Sequence, residues 1–332
     1  MTVLTRRSIL AGAAAVSATV VSPPAVYSTA LGAALPAGKQ VPSYYRYKVG
    51  SFEVTAVTDG VRIFPLDNFV RNATKDAVAT ALAAAYLGTD KVTLPYTPIV
   101  INTGSKLVVV DTGAGPTFYE QTKGVLGQFH TNLAAAGIYR NAVDVVIISH
   151  FHLDHINGLL TADNKPAFPN AEITVPAAEW KYWFDDGNMS RAPVGSPVEF
   201  NFKNARRVFS ALGNKVRQYE PDKEVVPGIT SVATYGHTPG HTSHVITSGS
   251  ANVMVQADVT LLPALFVRNP GWHVFLDMDG PMAEQTRRRI YDMAAAEKLL
   301  IQAFHHPFPA LAHVEKDSVG YRTVPAMWNP TM

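Results

Sequence analysis

The sequence predicts an α/β protein in which two β-sheets pack face to face with helices outside. Three observations carry that reading. Runs rich in Val, Ile and Thr alternate with Gly- and Asp-bearing turns from Tyr45 onward, the pattern of many short strands. Helical runs follow the strand runs in each half of the chain, so each sheet has helices to cover an outer face. Clusters of His and Asp fall where apolar runs stop, so one sheet edge could gather them. Strand period alone supports α/β or α+β, in one domain.

In chain order, "YKVGSFEVTAVTDGVRIFP" reads as a hairpin with Asp59-Gly60 at its turn. Ala77 to Leu87 is Ala-rich and helical. "TPIVINTGSKLVVVDTGAG" is a second hairpin, turning at Gly104-Ser105. Tyr119 to Gly137 reads as one helix closed by its C-terminal Gly. The strand "VDVVIIS" follows, then a short helix around Gly158 to Thr161. "AEITVPAAEWKYWF" is a strand and a helix, and "GITSVATYGHTPGHTSHVITSGSANVMVQAD" gives two or three strands. "MAEQTRRRIYDMAAAEKLLIQAFHHPFP" is a long amphipathic helix, a strand and a loop.

The first residues have a different character. Arg6 and Arg7 precede a mildly apolar, Ala-rich stretch from Ile9 to Val21, and small-residue sites end at Ala30 or Ala34. This resembles a bacterial twin-arginine export signal, with cleavage leaving residues 35–332 as a single domain in the periplasm or outside the cell. The run is short and broken by Pro23 and Pro24, which argues against a stable membrane anchor. With a formal net charge of +2, the chain has no strong field to attract nucleic acid or a membrane surface. It has no cysteine, which removes disulfides, thiolate ligands and Cys nucleophiles. Any metal must then be held by His and carboxylate, as in hydrolytic zinc sites.

His150, His152, Asp154 and His155 crowd the end of an apolar run. Downstream come "GHTPGHTSH" (His237, His241, His244), Asp258 after "VMVQA", and His305-His306 after "IQAF". Each arises where a strand runs out. The two-residue stagger of His150 and His152 puts both rings on one side of an extended segment. Asp154 and His155 follow as the chain turns, so they can face a second ion.

The series H-x-H-x-D-H, G-H-T-P-G-H-T, an Asp after an apolar strand and a late His resembles the metallo-β-lactamase fold superfamily, an αββα sandwich. The likeness runs from about residue 50 to 315 and includes Asp111, Thr112 and Gly113 in a turn beside the metal site. It implies that His150, His152 and His237 bind one divalent ion, that Asp154, His155 and His305 bind a second, and that Asp258 bridges them. It selects His237 over His241 and His305 over His306, and leaves His244 and His313 as structural residues. Zinc is the leading metal, with Mn, Co and Fe also accepted by such donors. Two ions about 3.5–4 Å apart hold a bridging hydroxide that attacks a polarised carbonyl or phosphoryl group. Asp154 and Asp258 are the catalytic carboxylates, Asp154 also as a proton acceptor. No G-x-S-x-G elbow is present.

Within the superfamily the chain is similar to the methyl parathion hydrolase-like enzymes, through "FEVTAVTDG", "INTGSKLVVVDTGAG", "AFPNAEITV" and "FPALAHVEKDSVGYRTVP". That resemblance implies a small-molecule ester substrate: aryl esters or lactones, with organophosphate triesters as a side or evolved activity. It also implies a substrate pocket of Phe118, Trp183 and Phe200 or Phe202, and an assembly that in relatives is often a homodimer. Leu261 stands where lactonases of the superfamily carry a Tyr beside the substrate carbonyl, and Asn157 where a Gly is usual. Leu261 to Asp279 reads as either a pocket wall or a long connection. The alternatives are an N-acyl-homoserine lactonase and a non-catalytic metal-binding protein.

Overall fold

A hairpin of β1 (Tyr44–Val49) and β2 (Phe52–Val57) starts the first sheet in the computed structural model, which describes residues 38, 40–318 and 320–331. The expected export signal, residues 1–34, lies outside them. The hairpin turns at Gly50-Ser51 and not, as expected, at Asp59-Gly60. The reason is that Asp59 is no solvent-facing turn residue. It is fully buried and accepts the backbone N–H groups of Ala114 and Phe129. The chain therefore leaves the sheet, and β3 (Gly60–Pro65) pairs with β4 (Lys91–Tyr96) in a separate ribbon, with α1 (Lys75–Ala84) between them in sequence.

The second expected hairpin is present as β5 (Ile99–Asn102) and β6 (Leu107–Val110). The single helix expected over Tyr119 to Gly137 is instead α2 (Pro116–Gln121) and α3 (Phe129–Ala135). Between them Gly127 has φ +79°, and a Cβ there would lie 2.4 Å from the Gly115 carbonyl oxygen, so the chain turns tightly where a helix cannot continue. After β7 (Val145–Ile147), α4 (Leu153–Ile156) precedes the place of the expected short helix, where only a single 3-10 turn, Asn157–Leu159, is formed. Next are β8 (Glu172–Pro176), α5 (Ala177–Trp183) and α6 (Asp186–Arg191). The helix α7 (Pro197–Ser210) was not anticipated, although "SPVE" signals its start: Ser196 accepts from the Glu199 N–H and Pro197 opens the first turn. With β9 (Val216–Tyr219) the first sheet has the order β1-β2-β5-β6-β7-β8-β9, its last four strands parallel.

The second sheet takes β10 (Glu224–Val226), β11 (Ile229–Ala233), β12 (Thr242–Ser248) and β13 (Ala251–Ala257). After α8 (Pro263–Phe266) and α9 (Gly280–Glu297) it is completed by β14 (Leu300–Ala303), β15 (Leu311–Lys316) and β16 (Tyr321–Pro325). Its strands lie in sequence order, with β13 and β14 parallel. Both sheets are thus mixed.

Val54, Ile101, Val108 and Ile147 of the first sheet pack in one buried cluster with Ile229, Ile246, Val253 and Val255 of the second. Full burial of each such side chain contributes ~1.5–3 kcal/mol. Phe151, Trp183, Phe202 and Phe209 fill the space between the other face of the first sheet and its helices, and Ile290, Tyr291 and Ala294 of α9 cover the second. The two packed sheets with helices on their outer faces form the expected αββα sandwich. Among the described residues, no helix is long and apolar enough to cross a membrane.

Candidate metal centre

The parallel pairs β6–β7 and β13–β14 end on a common edge, where the chain changes from apolar strand to polar loop. There His150 and His152 follow β7, Asp258 follows β13, His305 follows β14, and His237 precedes β12. His150, His152, His237 and Asp258 each bring one ligand atom to within 4.8 Å of the others, and Asp154, His155 and His305 do the same beside them. His237 lies 3.0 Å (Nε2) from His152 Nδ1, and His150 Nε2 lies 3.1 Å from it. Asp258 stands between the sets. Its Oδ2 is 3.2 Å from His237 Nε2 and 3.1 Å from His305 Nε2, and its Oδ1 is 3.3 Å from His155 Nε2. Asp154 Oδ2 is 3.5 Å from His305 Nε2. A tetrahedral ion with bonds of 2.0–2.1 Å holds its ligand atoms about 3.3 Å apart.

The outer ring nitrogens fix the tautomers. His155 Nδ1 meets Asp111 Oδ2 at 2.8 Å, His237 Nδ1 meets Asp277 Oδ1 at 2.9 Å, and His305 Nδ1 meets the Pro95 carbonyl at 2.9 Å. Carboxylates and carbonyls only accept, so each Nδ1 donates, and in the neutral ring that binds a metal each Nε2 turns a lone pair inward. Ser149 Oγ donates to Asp111 Oδ2 and so accepts from His150 Nδ1 at 3.0 Å, with the same result. In that form the lone pairs converge on the carboxylates with no hydrogen between them. His155 Nε2 and Asp258 Oδ1 are buried and have no hydrogen-bond partner. Nε2 and Oδ1, 3.3 Å apart in a dry site, need a proton or a metal cation between them, and the spacing and type of the His and Asp donors fit divalent ions.

In the absence of an ion, protons answer the same crowding: burial opposes charge on His155, but Asp258, Asp111 and Asp154 hold it well above the imidazole range. Burial opposes charge on Asp258, but His305, His155 and His150 outweigh it and hold its carboxyl well below the usual range. Burial, reinforced by neighbouring imidazoles, pushes His150 and His152 well below the imidazole range. Burial also opposes charge on His237, yet Asp258 and Asp277 raise it to about 9.

The neighbouring histidines have other work. His241 is pushed by burial down to about 3; its Nδ1 donates to the Thr234 carbonyl and its Nε2 accepts the Asp258 N–H. His244 meets the Tyr219 hydroxyl, His306 meets Gln256 and Thr260, and His313 lies beside the Lys298 and Leu299 carbonyls. Two functional residues were missed in the sequence. Asp277, within the unread segment, orients His237. Buried Glu179 ties the two histidine loops together: Oε2 accepts from Phe151 N–H and Trp183 Nε1, and Oε1 from Gly240 N–H. Gly240 has no room for a side chain, since a Cβ would lie 2.3 Å from Glu179 N.

Two cavities open from His152. One, about 280 Å³, is lined by Phe64, Tyr96, Phe118, Phe200 and Phe275, together with Arg62 and Asp154. The other, about 480 Å³, carries Tyr182, Asn188, Arg191, Ser196 and Met278. Phe118 and half-exposed Phe200 thus face the site. The expected pocket residues Trp183, Phe202 and Leu261 do not: all three are fully buried in the core. For Trp183 and Phe202 the cause is the phase of α5 and α7, which turns those rings toward the sheet; Leu261 packs with α1 and α8. Residues 261–279 are both wall and connection, since Phe275 and Leu276 line both cavities.

Residues 94–305 match the family model described as the Metallo-beta-lactamase superfamily. An N-acyl homoserine lactonase from Bacillus sp. is 29% identical over 157 residues, which is 47% of this chain and 53% of that protein. The chain therefore spans about half the length of the curated relative it matches. Among solved structures, the dizinc quorum-quenching lactonase AidC, in complex with a product N-hexanoyl-L-homoserine, superposes with a TM-score of 0.81 at 23% identity, over 87% of this chain and 99% of that one. The hydrolase AbOPH of the beta lactamase superfamily gives 0.80 at 24% identity, over 88% and 100%. At such identities these two likenesses speak for the fold.

Proposed function

The chain belongs to the metallo-beta-lactamase superfamily, a metal-dependent hydrolase, and on that premise we propose that it cleaves neutral esters, either aryl esters or lactones, with organophosphate triesters as a further substrate class. The observation that carries this is Asp258 between two histidine sets, with its Oδ1 and His155 Nε2 both unpartnered. In the proposed centre His150, His152 and His237 hold one ion, Asp154, His155 and His305 the other, and Asp258 both. Such ions, zinc first among them, supply Lewis acidity and an activated water. Asp154 is the carboxylate ligand that also lines the aromatic cavity, and we assign it the proton given up by the attacking water. The rings of Phe64, Phe118, Phe200 and Phe275 suit a flat, uncharged group on the substrate.

A second reading, an N-acyl-homoserine lactonase, is favoured by the curated relative. Rates on metal-assayed enzyme with an aryl acetate, dihydrocoumarin, a long-chain homoserine lactone and methyl parathion separate the two. A homoserine lactone turned over far faster than the aryl substrates would overturn the first reading. We also propose export through the twin-arginine route. Fractionation of cells carrying the Arg6→Lys, Arg7→Lys double variant tests it, and undiminished export would refute it.

A further inference from the structure

We propose that Arg287 is a positioning residue for His237, acting through Asp277, and that the same guanidinium fixes the wall of the substrate cavity. The proposal rests on reading the His/Asp cluster as a metal centre.

Arg287 is fully buried on α9. Its Nε donates to the Val259 carbonyl at 3.0 Å, and its Nη1 to the carbonyls of Pro270 (2.8 Å) and Trp272 (2.7 Å). These acceptors belong to the segment that leaves bridging Asp258 and returns to α9. Its Nη2 has no hydrogen-bond acceptor and lies 3.6 Å from Asp277 Oδ2. Asp277, itself buried, gives Oδ1 to His237 Nδ1 at 2.9 Å and Oδ2 to the Val274 N–H at 3.1 Å. The other guanidinium nearby, Arg71, is spent on the carbonyls of Phe275 and Asp277.

A carboxylate this deep is costly without a cation facing it, and Arg287 is the ion pair of the Asp277 side chain on the side away from His237. The pairing fixes which oxygen meets the ligand. It leaves charges alternating from guanidinium to carboxylate to imidazole N–H to the ion site, the arrangement that orients a ligating histidine and strengthens its lone pair. A planar guanidinium can serve three carbonyls and a carboxylate at once, whereas an ammonium cannot. The Trp272 carbonyl it holds and the Asp277 carboxylate it faces bracket Phe275 and Leu276 in the chain, so the cavity wall and the ligand share one anchor.

The test is a double-mutant cycle read by metal affinity. Zinc binding in competition with a chromophoric chelator is measured for the wild type, Arg287→Gln, Arg287→Lys, Asp277→Asn and Arg287→Gln/Asp277→Asn, with thermal unfolding of each metal-free protein. Cobalt-loaded absorption spectra and the split between KM and kcat are recorded alongside. Arg287→Gln is expected to weaken one of the two ions by about 10–100-fold and to change the cobalt band of that site. Arg287→Lys should fall between it and the wild type, and KM should rise in both. The double variant should bind no more weakly than Asp277→Asn alone, within about threefold, because the two residues act in series. Additive losses would overturn the proposal, as would wild-type affinity in an Arg287→Gln protein whose unfolding temperature alone has dropped. If Arg287→Gln does not fold, the same cycle with Arg287→Lys decides by the same criterion. A wild-type chain that binds no ion would overturn the site reading and this proposal together, a result distinct from any effect of the variants.

Discussion

Replacing Trp183 with Phe removes one hydrogen bond and part of a ring from the core beneath α5. The Trp183 Nε1 donates to Glu179 Oε2 at 2.7 Å, and its ring packs on Phe202 and Tyr182 with centroids 4.7 and 5.1 Å apart. A hydrogen bond to a charged acceptor contributes roughly 1.5–3 kcal/mol. The space left by the lost ring atoms costs about 1 kcal/mol more, less than a full truncation to Ala. The sum, ~3 kcal/mol, corresponds in a chain of this size to a fall of about 4–5 °C in unfolding temperature. Glu179 keeps its Phe151 and Gly240 donors, so the metal loops should stay in place. The expected result in metal-saturated protein is a clear drop in unfolding temperature, with the ratio of kcat/KM for an aryl acetate over an aliphatic lactone nearly unchanged. Phe200→Ala should do the opposite, because its ring is 50% exposed and faces the aromatic cavity. Losing some 50 Å² of apolar contact with substrate costs about 1 kcal/mol, or roughly fivefold in aryl selectivity. A Trp183→Phe protein with the wild-type unfolding temperature and a tenfold change in aryl selectivity would refute the reasoning.

Three further outcomes follow from the same geometry. Asp258→Ala should abolish binding of at least one ion and all hydrolysis while the far-ultraviolet circular dichroism is retained; metal analysis showing two ions and full activity would remove Asp258 from the centre. Glu179→Gln turns an acceptor oxygen into an N–H₂ facing Gly240 or Phe151, at about 1–3 kcal/mol per lost partner. Both histidine loops should shift, and chelator competition should show weaker metal binding than in the wild type. Burial raises Asp59 from the ordinary aspartate value of 3.8 to about 7, so the folded chain holds that proton more tightly than the unfolded chain. Its contribution is therefore fully present below pH ~4 and is lost as pH rises through 7, by about 2 kcal/mol between pH 5.5 and 8. Urea unfolding of the wild type and Asp59→Asn across that range should show their difference shrinking with pH; a constant difference would contradict it.

The site could be read from the sequence where chemistry narrows the choice of residue. A cysteine-free chain can hold a divalent ion only with His and carboxylate, and His150, His152, His237, Asp258 and His305 each interrupt or follow an apolar run, so strand ends marked them. Asp277 carries no such mark. It lies forty residues from His237 in an irregular segment, and backbone bonds from Met278 N–H to the His237 carbonyl and from Asp279 N–H to the Gly236 carbonyl, formed only in the folded chain, bring the two together. Glu179 was hidden for the converse reason: on α5 it has the spacing of a surface residue, and its burial depends on the loops it captures. The pocket was misread through helix phase. Without α7 in the reading, nothing distinguished Phe200 from Phe202, yet two positions on a helix lie on different faces, so one ring meets the cavity and the other the sheet. The same asymmetry explains the specificity problem as a whole. Ligand geometry is dictated by an ion that tolerates few donors, whereas substrate contacts arise from aromatic side chains whose direction only tertiary packing sets. Changes at Phe118, Phe200 and Phe275 should therefore redirect the substrate without touching the metals, and changes in the Glu179 and Asp277 contacts should alter the metals whatever the substrate.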